Sequence, residues 1–296
     1  MPLALAVVIA TSTFFLRVFR WRLLLRRDDG TALPLRPLWH GIAIGFMANN
    51  VLPFRMGEVM RALAVNRLTP VRFTSAFSSI AVERVFDGLS VVALLVISLF
   101  AARLPSDVEI AGVSVARIAT VGAGSMLAAL GVAIAVVAWP TLAEHVIRRI
   151  VRSPRLAERL VGMVEGLRHG LSVLRSPSRL LGVIAWSVVI WMVNAVSFQA
   201  AFVAFDIPAG YATALLLQGV LVFGIAVPST PGYVGVFEGA IKAVLVLIGV
   251  TSDRAVAYAV AYHVATFFPI VLLGAWSLAS TSVSLRDLRE ASAVGE

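Results

Sequence analysis

This sequence predicts an all-α fold: a polytopic transmembrane helical bundle with two Pro/Gly-broken segments, re-entrant or discontinuous. Three observations carry that prediction. The chain is 59% hydrophobic and only 14% charged, with a mean hydropathy of +0.93, which is the composition of a multi-span membrane protein. Apolar stretches of the ~20 residues needed to cross a bilayer recur along it. Two further apolar stretches are interrupted by proline and glycine, and each then carries a glutamate. A broken helix at membrane depth leaves backbone N–H and C=O groups that lipid cannot satisfy. Such a break is tolerated only where it is buried in protein or lines a polar cavity.

Taken in order, Leu3–Leu25 is the first span, and Arg17, Arg20 and Arg22 at its end are expected to snorkel to the interface. A signal peptide would carry its charges before the apolar run, so this reads as a retained span. A loop with Arg26, Arg27, Asp28 and Asp29 follows. His40–Pro53 is too short to span and predicts a re-entrant or partly buried helix closed by Asn49 and Asn50. Pro70–Ser79 leads into a helix whose polar start holds Glu83, Arg84 and Asp87, and Leu89–Ala102 is its lipid-like part. Arg103–Gly112 is a short loop, and Val113–Trp139 is a further span. In 141–179, arginines alternate with leucines and valines at helical spacing, the pattern of amphipathic helices lying on an anionic membrane face. Leu180–Phe205 spans, Tyr211–Val227 enters again, and Val236–Val250 forms a half-helix after the second break. Ala255–Ala279 is the last span before a polar tail, 280–296. No linker or composition shift divides residues 1–296, so a single integral-membrane domain is expected.

A formal net charge of +9 on a soluble protein would suggest a nucleic-acid partner. Here the arginines sit in loops between apolar spans, and no basic–aromatic stripe accompanies them, so the positive-inside effect accounts for them and no nucleic acid is expected. The basic 20–38, 54–72 and 141–179 loops and the C-terminus are expected on the cytoplasmic face of a bacterial inner membrane, with the 103–112 and 205–210 loops outside. There are no cysteines, and the four histidines show no metal-ligand spacing, so neither a metal nor a cofactor is expected. GxxxxGK[ST] and GxSxG are both absent, which argues against ATP-driven transport within this chain and against a serine hydrolase.

The candidate site residues cluster at the breaks. The first reads Asn49-Asn50-Val51-Leu52-Pro53-Phe54-Arg55-Met56-Gly57-Glu58, with Arg61 a turn later. Arg55 and Arg61 offer the planar fork that suits phosphate; topology-setting loop arginines are the plainer reading. The second reads Pro228-Ser229-Thr230-Pro231-Gly232-Tyr233-Val234-Gly235-Val236-Phe237-Glu238-Gly239, with Lys242 a turn later. Glu238 and Lys242 share a helical face and can pair, either as a functional charge or as a lock between helices. Gly232, Gly235 and Gly239 lie near one face, suited to close helix packing or to an anion at a half-helix N-terminus. Between the breaks, Arg84 and Asp87 can pair at i,i+3, and Glu83 adjoins them. Asn194, Gln199, Gln218 and His263 read as interhelical hydrogen-bonding residues. The two breaks are loosely alike, a hint of an internal repeat.

These motifs together resemble the flippase-like, lysylphosphatidylglycerol synthase transmembrane-region family, the membrane half of MprF-type proteins, over nearly the whole chain. The resemblance rests on Arg20-Trp21-Arg22-Leu23-Leu24 and on Asn49-x-x-Leu52-Pro53-x-Arg55-x-Gly57-Glu58-x-x-Arg61. It continues in Glu83-Arg84-x-x-Asp87 and Pro228-x-x-Pro231-Gly232-x-x-Gly235-x-x-Glu238. It implies movement of aminoacylated or other polar lipids between leaflets, with Arg55, Glu58, Arg61, Glu83, Arg84, Asp87 and Glu238 as the family's polar positions. Members usually begin one span earlier and commonly carry an arginine where this chain has His263. The aminoacyl-transferase domain that makes the lysyl-lipid is absent from this sequence, so no enzyme activity is expected.

The expected function is therefore translocation of a polar or anionic lipid. Arg55, Arg61 and Arg84 would face its phosphate. Glu58, Asp87 and Glu238 would take a cationic group or relay a proton, with Lys242 beside them. Membrane lipids are the expected partners, an anionic phospholipid or a lipid-linked substrate, alongside a homo-oligomer or a biosynthetic enzyme. The alternatives are an integral-membrane transferase acting on a lipid-linked substrate and a membrane anchor for an envelope-biosynthesis complex.

Overall fold

The computed structural model describes residues 1–52, 56–101, 139–151, 176–226 and 230–281 continuously, with isolated positions and runs of two or three residues elsewhere between 109 and 164, and position 283. Among the described residues the regular structure is helical apart from a short antiparallel ribbon, β1 (Glu109–Ile110) against β2 (Val113–Ser114), and an isolated bridge between Arg26 and Ala32. Its helices are α1 (Pro2–Leu24), α2 (Leu35–Val51), α3 (Gly57–Leu68), α4 (Phe73–Ala101), α5 (Pro140–Ile150), α6 (Pro177–Ala204), α7 (Tyr211–Ala226), α8 (Val236–Leu247) and α9 (Ser252–Ala279). Among the described residues between α7 and α8, Pro231–Tyr233 form a 3₁₀ turn.

Three of these helices, α1, α6 and α9, are long and apolar enough to cross a membrane. α2 and α7, with 17 and 16 residues, reach only about 25 Å at 1.5 Å per residue, short of a ~30 Å hydrocarbon core. The breaks expected after them are present. Most of the span expected over Val113–Trp139, and the part of the basic stretch 141–179 between 165 and 175, lie outside the described residues. The part of that stretch in α5 is amphipathic, with Leu142, Val146 and Ile150 exposed on one face and a surface ion pair, Arg148–Glu144 at 3.0 Å, beside it.

One expectation about α4 is corrected. Glu83, Arg84 and Asp87 do not mark a helix start, because α4 runs unbroken for 29 residues and the three lie in its middle. Their carboxylates are buried against arginines from other helices, so the charges do not force the helix to begin at the membrane surface. The expectation for α1 also changes. Arg17 and Arg20 do not snorkel outward; Arg20 is fully buried and Arg17 is 7% exposed.

Close packing is made by Gly57 of the first break and by Gly45 and Gly274, which the sequence did not single out. α2 is gripped between α3 and α9. A Cβ at Gly45 would meet the Gly57 carbonyl oxygen at 2.8 Å, and one at Gly57 would overlap the Gly45 oxygen and the Asn49 side chain. On the opposite side, a Cβ at Gly274 of α9 would overlap Met47 and come within 2.6 Å of the Ala43 oxygen. Nothing lies within 4 Å of the Cβ position at Gly235 or Gly239, so those two glycines do not serve as a packing stripe. The apolar core sits in two main bodies. One, around Phe198, Phe202 and Tyr258, joins α4, α6, α7, α8 and α9. The other, around Trp21, Ile42 and Phe86, joins α1, α2, α3 and α4.

Candidate functional site

The site is built from a buried ion cluster with a cavity in front of it. Arg61, on α3, reaches Glu83 of α4 through two parallel hydrogen bonds of 2.8 Å, Nη1 to Oε1 and Nη2 to Oε2. Its guanidinium lies 3.7 Å from the centre of the Trp21 ring, and the Trp21 indole N–H is held by the Ser79 hydroxyl at 2.9 Å. Arg20, on α1, donates to both oxygens of Asp87, to the Ser187 hydroxyl of α6 at 3.0 Å, and lies 3.0 Å from Glu83. Asp87 also accepts the Trp191 indole N–H at 3.0 Å. Charges this deep survive only when paired and hydrogen-bonded, and the pairing ties α1, α3, α4 and α6 together.

Arg84 sits at the edge of the cluster. Its Nη2 is 2.9 Å from Glu83 and 3.4 Å from Asp87, and its Nε is 3.7 Å from Glu58. The Arg84–Asp87 pairing expected from their i,i+3 spacing is therefore present. Glu58 and Arg61 share α3 but take different partners.

The first break is closed by a side chain. Asn49, near the end of α2, accepts the Gly57 N–H at the start of α3 through Oδ1 at 2.8 Å. This satisfies one of the unpaired donors of a helix N-terminus across the interruption. The second break is closed similarly. Gly235, at φ +89, precedes α8, and its N–H donates to Glu238 Oε2 at 2.7 Å, half of a capping box. Gly232, at φ +66, lets the 3₁₀ turn approach α2, where a Cβ would lie 3.1 Å from the Asn50 carbonyl oxygen. Both φ values favour glycine. The two breaks thus touch, although some 170 residues separate them.

Glu238 does not pair with Lys242. Its Oε1 lies 2.6 Å from His263 Nδ1 of α9, while Lys242 faces outward and is exposed. Spacing alone could not reveal this, because the partner comes from another helix. Phe237 stacks on the His263 ring at 4.2 Å between centres. The gathered N–H groups expected at this half-helix start are not all free, since the Gly235 N–H is taken by the carboxylate. Asn194 donates to Gln218 at 2.9 Å between α6 and α7, the interhelical bond expected of these residues.

A cavity of about 230 Å³ opens where these groups meet. Asn49, Asn50, Gly57 and Glu58 line it from the first break, and Tyr233, Phe237 and His263 from the second break and the helix beside it. Arg61 and Arg84 form its charged wall, and Asn194 and Gln218 contribute amides. Glu83 and Asp87 stand behind that wall and hold the arginines. Arg17 also lines the cavity; the sequence reading did not include it in the site, and its position beside a clustered Arg20 is the signal that could have found it. Pro53, Arg55 and Pro228 lie outside the described residues.

The sequence model of the family described as "Lysylphosphatidylglycerol synthase TM region" matches residues 1–274, and the chain belongs to that family. It is therefore a membrane protein. Glycosyltransferase AglD of Haloferax volcanii is 28% identical over 319 residues, covering 98% of this chain and 50% of AglD. A UPF0104 membrane protein of Methanothermobacter thermautotrophicus is 24% identical over 289 residues, covering 93% of this chain and 82% of that protein. The chain thus spans about half the length of AglD. No solved structure matches it.

Proposed function

We propose that this member of the family moves a polar-headed lipid between the leaflets of the membrane, with the headgroup travelling through the cavity and the acyl chains remaining in lipid. The observation that carries the reading is the convergence of the two helix breaks on one polar cavity inside an apolar bundle. Interrupted helices in both halves of a membrane chain are the pattern of a transport site. About 230 Å³ is below the ~300–1,000 Å³ of sites that enclose a drug-sized molecule, so the cavity suits a headgroup and not a whole diacyl lipid. Arg61 is held in place by Glu83, and Arg84 is the more accessible of the two, a third exposed. His263, held by Glu238, supplies a polar group on the opposite wall. We place the chain in a cytoplasmic membrane, with lipids as partners and no covalent step.

The test is flipping in proteoliposomes. A fluorescent anionic phospholipid is followed as it leaves the outer leaflet, with the wild-type chain and with Glu238→Gln. Movement above empty liposomes that the substitution abolishes supports the reading. A folded, correctly inserted chain that moves neither an anionic nor a zwitterionic phospholipid sinks it.

The similarity to a protein named a glycosyltransferase favours one second reading, a membrane transferase or its membrane partner acting on a lipid-linked substrate. All three carboxylates such an enzyme could draw on, Glu58, Glu83 and Asp87, are engaged by arginines, which supports transport over catalysis. A covalent lipid product formed by the purified chain would reverse that preference.

A further inference from the structure

We infer that Arg17 is an anion-binding residue of the cavity, gripping a phosphate or phosphodiester group together with Arg84; this rests on reading the cavity as a headgroup site. Arg17 belongs to neither break and projects from α1. Its guanidinium is clamped between two rings, 5.1 Å from the centre of Phe46 and 5.5 Å from that of Trp191. It is buried, yet its approach to a carboxylate stops at 3.9 Å from Asp87 Oδ2, beyond hydrogen-bonding distance. Its Nη1 has no hydrogen-bond partner.

Asp87 is not free to close that gap. It already accepts from both terminal nitrogens of Arg20 and from the Trp191 indole, and Arg84 stands 3.4 Å away. Among the described residues, four guanidiniums, those of Arg17, Arg20, Arg61 and Arg84, face three carboxylates, those of Glu58, Glu83 and Asp87. Arginine does not shed its proton in proteins, so one positive charge is left over, and Arg17 is the member with the fewest bonds. A buried, under-paired charge is costly to fold. An arriving anion would remove that cost.

The two arginines are neighbours. Arg17 Nη1 and Arg84 Nη2 approach the same Asp87 oxygen from 3.9 and 3.4 Å, and both residues line the cavity, so an anion entering it meets two guanidiniums together. Guanidinium forks match phosphate oxygens in pairs. The anion could be a lipid headgroup or free phosphate, and the experiment separates the two.

The purified full chain in detergent is offered phosphatidylglycerol or diacylglycerol at equal concentration, and retained lipid is read by native mass spectrometry. The expected result is retention of phosphatidylglycerol over diacylglycerol, reduced about tenfold or more by Arg17→Gln, the loss of a charge-assisted contact. Arg17→Lys, which keeps the charge without the fork, should fall between. Inorganic phosphate that displaces the lipid would show that the bare anion suffices, and failure to displace it would assign the anion to a lipid; both uphold the anion site. Equal retention of the two lipids by the wild-type chain overturns it, as does phosphatidylglycerol retention unchanged in Arg17→Gln. If Arg17→Gln does not fold, the wild-type comparison and Arg17→Lys decide. Arg17-dependent retention without movement in liposomes would overturn the transport reading and leave the anion site standing. Movement that proceeds while retention is indifferent to Arg17 would do the reverse.

Discussion

Arg61 and Glu83 meet through two parallel hydrogen bonds, with the arginine 3% exposed and the glutamate fully buried. Buried ion pairs of this kind are expensive to break from one side, at about 3–5 kcal/mol, and much cheaper to replace from both. Glu83→Gln should therefore lower the thermal stability of the detergent-solubilised chain sharply. Arg61→Met combined with Glu83→Met should cost less than the two single changes added together, by roughly 1–3 kcal/mol of coupling. Strict additivity of the melting shifts would show that the pair does not act as a unit.

Glycine substitutions should divide by contact rather than by sequence neighbourhood. Gly57→Ala drives a methyl group into the Gly45 carbonyl oxygen and Asn49, an overpacking expected to cost about 1–3 kcal/mol. Gly239→Ala meets open space within α8 and should be neutral or stabilising by up to ~1 kcal/mol from helix propensity alone. Thermal melts of the two variants check this, and a destabilised Gly239→Ala would contradict it.

Asn49→Ala removes the acceptor that closes the first break at the Gly57 N–H. The loss resembles that of a helix cap, about 0.5–2 kcal/mol. It should also loosen the α2–α3 joint locally. Hydrogen exchange at Gly57 and the following turn should accelerate in this variant while exchange in α6 stays as in the wild type.

Glu238 is shared between the Gly235 N–H and His263. Glu238→Gln can keep the first contact and weakens the second, so its stability loss should be about 1 kcal/mol or less, even where transport is lost. His263→Arg places a permanent cation beside the same carboxylate and should leave the melting temperature at or above wild type. A strongly destabilised His263→Arg would mean that stacking on Phe237, and not the contact with Glu238, fixes the α8–α9 joint.

Local features were legible in the sequence. Hydropathy located α1, α6 and α9, and proline with glycine located both interruptions, because these properties depend on residues next to one another. Partner choice was not legible. Glu238 was paired with Lys242 by helical spacing, whereas its partner, His263, is 25 residues away on another helix. The unbroken course of α4 was hidden for a related reason. Glu83 and Asp87 look like a surface start until the arginines that bury them are supplied by α1 and α3. The meeting of the two breaks depends on Gly232 approaching Asn50, a long-range contact that no local pattern encodes.

Arg20 finds Asp87 67 residues further along the chain and Ser187 a further 100 beyond that. During synthesis, α1 therefore leaves the ribosome with Arg17 and Arg20 near its end before their carboxylate partners, Glu83 and Asp87, have been made. At that stage the interface is their available refuge, and a long arginine stem near a helix end can reach it. The arrival of α4 then exchanges headgroups and water for Asp87 and Glu83, drawing the guanidiniums inward. This order of synthesis predicts a step in which an already inserted helix is re-seated by a later one, so a nascent chain halted before residue 87 should hold α1 without its final anchor.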